Sequence, residues 1–291
     1  MGESPGAEIS VFGSELESCS VETPGGRIQI RWDLEASATP NAQLAFFAEF
    51  LATTGVYESW VNSCPLSYGP GNASRKRDVL GTWFLSILAG QHRYAHITAL
   101  RGDGVSPQIL GMRKIVCEDT LRRALARMTN SGYALESMAQ IYRDRADAEN
   151  GFDELKNQWG WGGFTTQDIE RCQTSARAVA LVYNWWSWYC RAAKPEVRME
   201  AITSRALLLA AVGRATKHAG QTTLYLTPMH AAKTNLMLLI ANIRAALNHV
   251  RRVAEQSPTA DRWKTLLDYI VAKIIPRRPQ KLLETCALLA G

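Results

Sequence analysis

Tyr142, Arg145, Glu149 and Lys156 follow one another at intervals of three, four and seven residues in "YRDRADAENGFDELKNQWGWGG". A helix that turns about 100° per residue carries all four within a sector of roughly 60°. A carboxylate flanked by an arginine and a lysine on one helix face has two readings. One is a surface ion-pair row, worth a few tenths of a kcal/mol per pair. The other is a metal-binding carboxylate between phosphate clamps, with Tyr142 and Arg145 on one side and Lys156 on the other. The row would span about 21 Å at 1.5 Å per residue, which reaches several phosphates spaced about 3.4 Å along a strand. Ile141, Ala148, Phe152 and Leu155 fall in an adjacent apolar sector, so the charged row borders a buried side. Asp144, Asp147 and Glu154 fall on the far side and read as solvated charge. Gly151 costs the helix about 1 kcal/mol relative to alanine and leaves room for a backbone or a phosphate to come close.

The elements that must position this row are mostly helical. Up to about residue 24 the chain is rich in Gly, Ser, Pro and Glu and reads as loose. "GGRIQIRWD" alternates Ile28, Ile30 and Trp32 with Arg27, Gln29 and Arg31, a short strand with one apolar face. The period then changes. "NAQLAFFAEFLATTG" repeats its apolar residues at three and four and stops at Gly55, and "SRKRDVLGTWFLSILAG" has a basic first turn and an apolar body ending at Gly90. "SPQILGMRKIVCEDTLRRALARM" holds two short helical patterns, the second with Leu121, Leu125 and Met128 on one face and Arg122, Arg123 and Arg127 elsewhere. That arrangement is compatible with a helix-turn-helix presenting arginines to DNA, but the pattern by itself favours two ordinary packed helices with a solvated basic face. Thr165 and Asp168 have capping-box spacing before the long helix "DIERCQTSARAVALVYNWWSWYCRAA". Its aromatics Tyr183, Trp185, Trp186, Trp188 and Tyr189 read as core before they read as a base-stacking surface. "RALLLAAVGR" and "LMLLIANIR" read as buried helix pieces, "GQTTLYLTP" as a strand, and "SPTADRWKTLLDYIVAKII" as a helix with Trp263, Leu266, Leu267, Ile270, Val271 and Ile274 on one stripe.

The 291 residues, 46% apolar and 21% charged, suit a folded soluble protein. The start "MGESPGAEIS" has no basic cluster followed by an apolar run, and no stretch approaches a membrane span, so a cytoplasmic protein is expected. A net charge of +6 and an isoelectric point near 9.0 favour polyanionic partners. Cys19, Cys64, Cys117, Cys172, Cys190 and Cys286 are scattered without a CxxC pair, which points to reduced thiols.

The run Tyr142, Arg145, Glu149, Lys156 resembles the Y-x2-R-x3-E-x6-K signature of a large group of bacterial insertion-sequence transposases. These are DDE enzymes with an RNase H-like catalytic domain. "LGTWFLSILAGQHRYAHITALRGD" upstream and "TSRALLLAAVGRATKHAGQTTLYL" downstream resemble one branch of that group, and the similarity runs from about Arg27 onward. It implies that Glu149 is the third carboxylate of a site in which two aspartates and a glutamate hold two Mg²⁺ ions, Mn²⁺ being a possible substitute. It implies that Tyr142, Arg145 and Lys156 contact DNA at the terminal inverted repeats, with Arg145 suited to bidentate phosphate binding. Arg122 and Arg123 are further candidate DNA contacts, and nucleoid association follows from such a partner.

The first two aspartates of such a site lie on a central sheet that precedes the glutamate helix. Here only thirteen residues, Thr129 to Ile141, separate the "RALARM" helix from Tyr142. They contain no aspartate and cannot hold several strands of about five or six residues each. Asp33 and Asp103 do not occupy the family positions, and His92 and His96 lack an acid motif between them. The expected fold is therefore mostly α with a few short strands, the remnant of an RNase H-like α/β transposase fold lacking most of the central sheet. Residues 1–40 form a tail and short strand, 41–128 a helical DNA-binding region, and 129–291 the C-terminal part of the catalytic domain. Three functional outcomes stay open. The chain is a transposase defective in cleavage and strand transfer; or a DNA-binding inhibitor of intact transposase, as a homodimer or mixed dimer; or an unstable product whose Tyr142 helix exposes apolar surface meant for the missing sheet.

Overall fold

The computed structural model describes residues 18–31, 36–66, 74–130, 148–164, 166–227, 233–254 and 261–274. Tyr142 and Arg145 lie outside these residues, as do Trp32, Asp33, Ile141, Asp144, Asp147 and Cys286. The expectations attached to them are not addressed by the described structure.

Two helices at the centre organise the rest. Helix α1 (Leu44–Thr54) ends where Gly55 adopts φ 74°, the left-handed conformation a glycine accepts without a Cβ clash. It leads directly into α2 (Val56–Ser63). Helix α3 (Lys76–Leu88) is buried at every position from Asp78 to Leu88, which explains why its sequence is apolar all round rather than striped. After a 3-10 turn (Tyr94–His96), α4 (Ile97–Leu100) and α5 (Ser106–Ile109) are single turns, and α6 runs Glu118–Asn130. Helix α7 is Ala148–Gln158 and α8 is Ile169–Ala193. Then come α9 (Ala201–Leu208), α10 (Lys233–Ala254) and α11 (Asp261–Ile274).

One apolar cluster extends from Leu44 on α1 to Ile270 on α11. Phe47 is its hub, with ring centroids 4.9 Å from Tyr189, 5.0 Å from Trp186, 5.8 Å from Phe50 and 6.0 Å from Phe84. Trp185 lies edge-on to Trp60 at 5.8 Å. The aromatic run of α8 is thus core: Trp185, Trp186 and Tyr189 are buried, and Tyr183 and Trp188 pack against the cluster. On α11, Leu266 and Ile270 are buried while Val271 and Ile274 sit at the rim. The four cysteines with described thiols are free; Cys64 and Cys190 are buried, and burial pushes Cys190 up to about 12.

The fold is mostly α with two small antiparallel sheets, as expected. Strands β1 (Ser18–Thr23) and β2 (Gly26–Arg31) form a hairpin with Ser18 opposite Arg31 and Thr23 opposite Gly26. The second sheet has the order β3 (Ser37–Thr39), β4 (Gly213–His218), β5 (Gln221–Leu226). Four expectations need correcting. The N-terminal stretch is not loose throughout, because Ser18–Thr23 pairs with β2, and the Ile28 side of that hairpin is not buried. "RALLLAAVGR" is not one helix: α9 stops at Leu208, and Gly213 begins β4 pressed against the Ala42 side chain, where a Cβ would not fit. The turn at Ala219 (φ 48°) and Gly220 (φ 80°) supplies the two positive-φ residues of a tight hairpin, which pairs β4 to β5 despite the lack of apolar alternation in β4. The cap of α8 is Asp168 itself, whose carboxylate accepts from the Glu170 and Arg171 amides at 3.0 and 3.2 Å; Thr165 lies outside the described residues. Finally, α5 is one turn of four residues, too short for the first helix of a helix-turn-helix, and α6 packs instead on α3 and α8.

Phe47→Ala is expected to destabilise the fold by about 3–5 kcal/mol, because it removes the ring on which four others close. In a urea titration the midpoint should fall with the slope unchanged; a loss below about 1 kcal/mol would show that the cluster does not depend on this ring.

Candidate catalytic helix and nucleic-acid interface

Helix α7 carries Glu149 in its first turn and Lys156 in its last. Their separation of seven positions places both backbone positions on one face of the helix. Lys156 is exposed, together with Asp153 and Asn157. The opposite side is held in the protein. Leu155 is buried against the core, where α8 and α9 pack on the helix.

Glu154 overturns the expectation that it is solvated. It is 3% exposed, and its carboxylate accepts from the Trp159 indole at 3.1 Å, the Arg198 guanidinium at 2.8 Å and the backbone N–H of Ala201 at 2.9 Å. Its angular position, about 120° from Tyr142, does point away from the apolar sector. That side, however, meets the first turn of α9, whose free N–H groups and positive end favour a carboxylate. Arg198 also donates to the Tyr183 hydroxyl at 3.2 Å. Burial opposes the Arg198 charge, but Tyr183 and Glu154 outweigh it and hold the guanidinium above its ordinary value.

A second set of contacts closes the C-terminal end of α7. The Gln158 side chain accepts from the Ile202 amide at 2.8 Å and donates to Glu200 at 3.0 Å. Arg205 donates to the Gln158 carbonyl at 2.7 Å and lies 4.1 Å above the ring of Trp159, a stacked cation on a fully buried indole. Burial lowers Arg205 to about 10. The following "GWGGF" loop is pressed onto residues 91 and 92. Phe164 donates its N–H to the His92 carbonyl at 2.7 Å, and its ring meets Tyr94 edge-on at 5.2 Å. Gly160 has φ 69°, and a Cβ there or at Gly163 would collide with His92.

The other candidates are dispersed. Arg122 and Arg123 are exposed on α6; the Arg122 guanidinium sits 4.9 Å over the Tyr94 ring, and Arg123 donates to the Asp119 carbonyl at 3.2 Å. His92 and His96 do not share an α-helical face. His92 precedes the 3-10 turn and His96 ends it, both exposed, with the His92 amide donating to His96 Nδ1 at 3.4 Å. Burial, then His96, Arg205 and Arg93, lower the His92 pKa. Asp103 is spent on its own turn: one oxygen accepts from the Val105 and Ser106 amides at 3.0 and 2.8 Å, the other from the Thr39 and Ser106 hydroxyls at 2.7 and 2.6 Å.

A two-magnesium centre does not fit the described side chains. Among the described residues, no group of three or more His, Cys, Asp or Glu is placed to hold a metal. Glu154 and Asp103 are committed to protein donors, and Asp168 caps α8. The described strands carry no aspartate at all.

Residues 71–185 match a family model described as Transposase DDE domain. The matched stretch contains α3, α6, α7 and most of α8, and it supports an insertion-sequence DDE transposase, as the resemblance implied. Comparison with curated proteins and with solved structures found no match. No described helix is long and apolar enough to cross a membrane.

The residues that sequence reading missed are Glu154, Gln158, Arg198 and Arg205. No local signal marks them, since their partners lie up to 118 residues away in sequence. Gly160→Ala should lower stability by about 1–3 kcal/mol, because the new methyl meets His92 and the positive φ is unsuited to alanine. Urea unfolding checks this, with Gly162→Ala, which has open space at the Cβ, as the neutral control.

Proposed function

We propose that this chain is a transposase-derived DNA-binding protein that engages transposon ends without cleaving them. The observation that carries the proposal is the matched transposase DDE domain. In its sequence only thirteen residues, Thr129 to Ile141, lie between the "RALARM" stretch and Tyr142, with no aspartate among them and too few for several strands of about five or six residues with their connections. Glu149 is then the one family carboxylate retained, and it cannot organise two Mg²⁺ or Mn²⁺ ions alone. The signature group Y-x2-R-x3-E-x6-K assigns Tyr142, Arg145 and Lys156 to phosphate contacts at the terminal inverted repeats. Arg122 and Arg123 add a second basic surface on α6.

In this reading residues 41–128 make up the DNA-binding region and residues 129–291 the remainder of the catalytic domain, in a cytoplasmic protein that associates with the nucleoid. By occupying ends, or by forming mixed dimers with intact transposase, it inhibits transposition. The continuous core, in which Leu155 of α7 is buried, favours this over an unstable product.

Two measurements test the proposal. A supercoiled plasmid carrying the terminal inverted repeats should not be nicked with Mg²⁺ or Mn²⁺; cleavage that disappears in Glu149→Gln would refute the loss of catalysis. Binding to a duplex with those repeats should weaken steeply with salt, and Arg122→Ala or Arg123→Ala should each flatten the log–log slope by about 0.9. Slopes that match those of surface-lysine controls would remove α6 from the interface.

A further inference from the structure

Among the described residues no strand belongs to α7's main packing partners, yet the C-terminal half of the helix is held on a defined side. The contacts that hold it are reciprocal. Glu154 of α7 accepts from the first backbone N–H of α9, at Ala201, and Arg205 of α9 donates to the last backbone carbonyl of α7, at Gln158. Each charge sits at the helix end of opposite polarity, the carboxylate at an N-terminus and the guanidinium at a C-terminus. Gln158 joins the same two helices through Ile202 and Glu200. Trp159 belongs to both halves, its N–H on Glu154 and its ring under Arg205. Arg198, anchored to Tyr183 of α8, completes the carboxylate's partners.

Register turns this attachment into orientation. Glu154 and Lys156 are two residues apart, about 200° around the helix, and Glu149 and Glu154 are five apart, about 140°. Gripping Glu154 therefore fixes the helix by the side opposite the Glu149–Lys156 face. A helix free to roll about its axis would spread that face over a wide arc, and a phosphate-binding row needs its positions held.

We propose that Glu154 and Arg205 are positioning residues that set the rotation of α7, taking over the orienting task of a supporting sheet. The inference rests on the reading that the Lys156 face meets DNA. Neither residue touches the nucleic acid; both act through Lys156.

The test combines hydrogen exchange with a double-mutant cycle on the full chain. Glu154→Ala, Glu154→Gln and Arg205→Met are each made with and without Lys156→Ala. Amide exchange is followed over residues 148–158 and over α8, and binding of a labelled random-sequence duplex is titrated with salt. In the parent, Lys156→Ala should flatten the salt slope by about 0.9. In Glu154→Ala and Arg205→Met that decrement should fall below half, and α7 amides should exchange at least about tenfold faster while α8 stays protected. Glu154→Gln, which keeps an acceptor for the Ala201 amide, should restore most of both. An undiminished Lys156 decrement in Glu154→Ala and Arg205→Met, or unchanged α7 exchange, would overturn the proposal. If Lys156→Ala has no effect in the parent, the DNA-facing reading fails and the exchange data alone judge the clamp. If Glu154→Ala does not fold, Arg205→Met decides by the same two readouts.

Discussion

A carboxylate taken out of water has to collect its hydrogen bonds from the protein, and Glu154 collects three: an indole, a guanidinium and the first amide of α9. Leaving such a group without partners would cost several kcal/mol, so the geometry around it is not free to vary. The consequence is structural and directional. Helix α7 cannot shift along or roll against α9 without breaking these bonds, and its exposed face follows from that constraint. The rest of the region conforms to it: Arg205 closes the far end, Trp159 fills the space between, and the glycines after it let the chain pass close to His92.

Behind this junction stands a helical core that extends beyond the matched transposase segment. The match ends at residue 185, within α8, but Phe47 on α1 meets Trp186 and Tyr189, and α10 and α11 pack on α1. Helix α3 runs through the centre, and the buried polar side chains of Asp78, Thr82 and Ser86 on it are hydrogen-bonded. The Asp78 carboxylate accepts the Arg113 amide, and the Thr82 hydroxyl accepts the Val116 amide, which fixes the loop leading into α6. The arginines of α6 are outside this core because Leu121, Ala124, Leu125 and Met128 take the inner side. Packing of one face thereby decides the exposure of the other.

Much of this was legible in the chain before folding was considered. The three- and four-residue period marked α1 and the apolar stripe marked α11, since a helix facing a core must repeat its apolar residues every turn, while α3, α8 and α10 showed as apolar runs. Gly55 marked the end of α1 because the left-handed conformation there disfavours any side chain. The aromatic cluster of α8 read as core for the same reason that large rings dominate interiors: their burial removes more apolar surface from water than any other choice. The spacing of Glu149 and Lys156 placed them on one face by helix geometry alone.

What escaped the sequence was everything set by a neighbour remote along the chain. Glu154 sits among Asp153, Lys156 and Asn157, all exposed, and nothing in that pattern singles it out; the amide that makes it a buried anchor comes from Ala201. Strand β4 has no apolar alternation, and exists because β5 returns beside it through a turn that the two positive-φ residues permit. Ser18–Thr23 is a strand only by virtue of pairing with β2. Local propensity and period are properties of one segment and can be read from it. Hydrogen-bond partners, helix ends and sheet neighbours are properties of two, and only the tertiary arrangement brings them together.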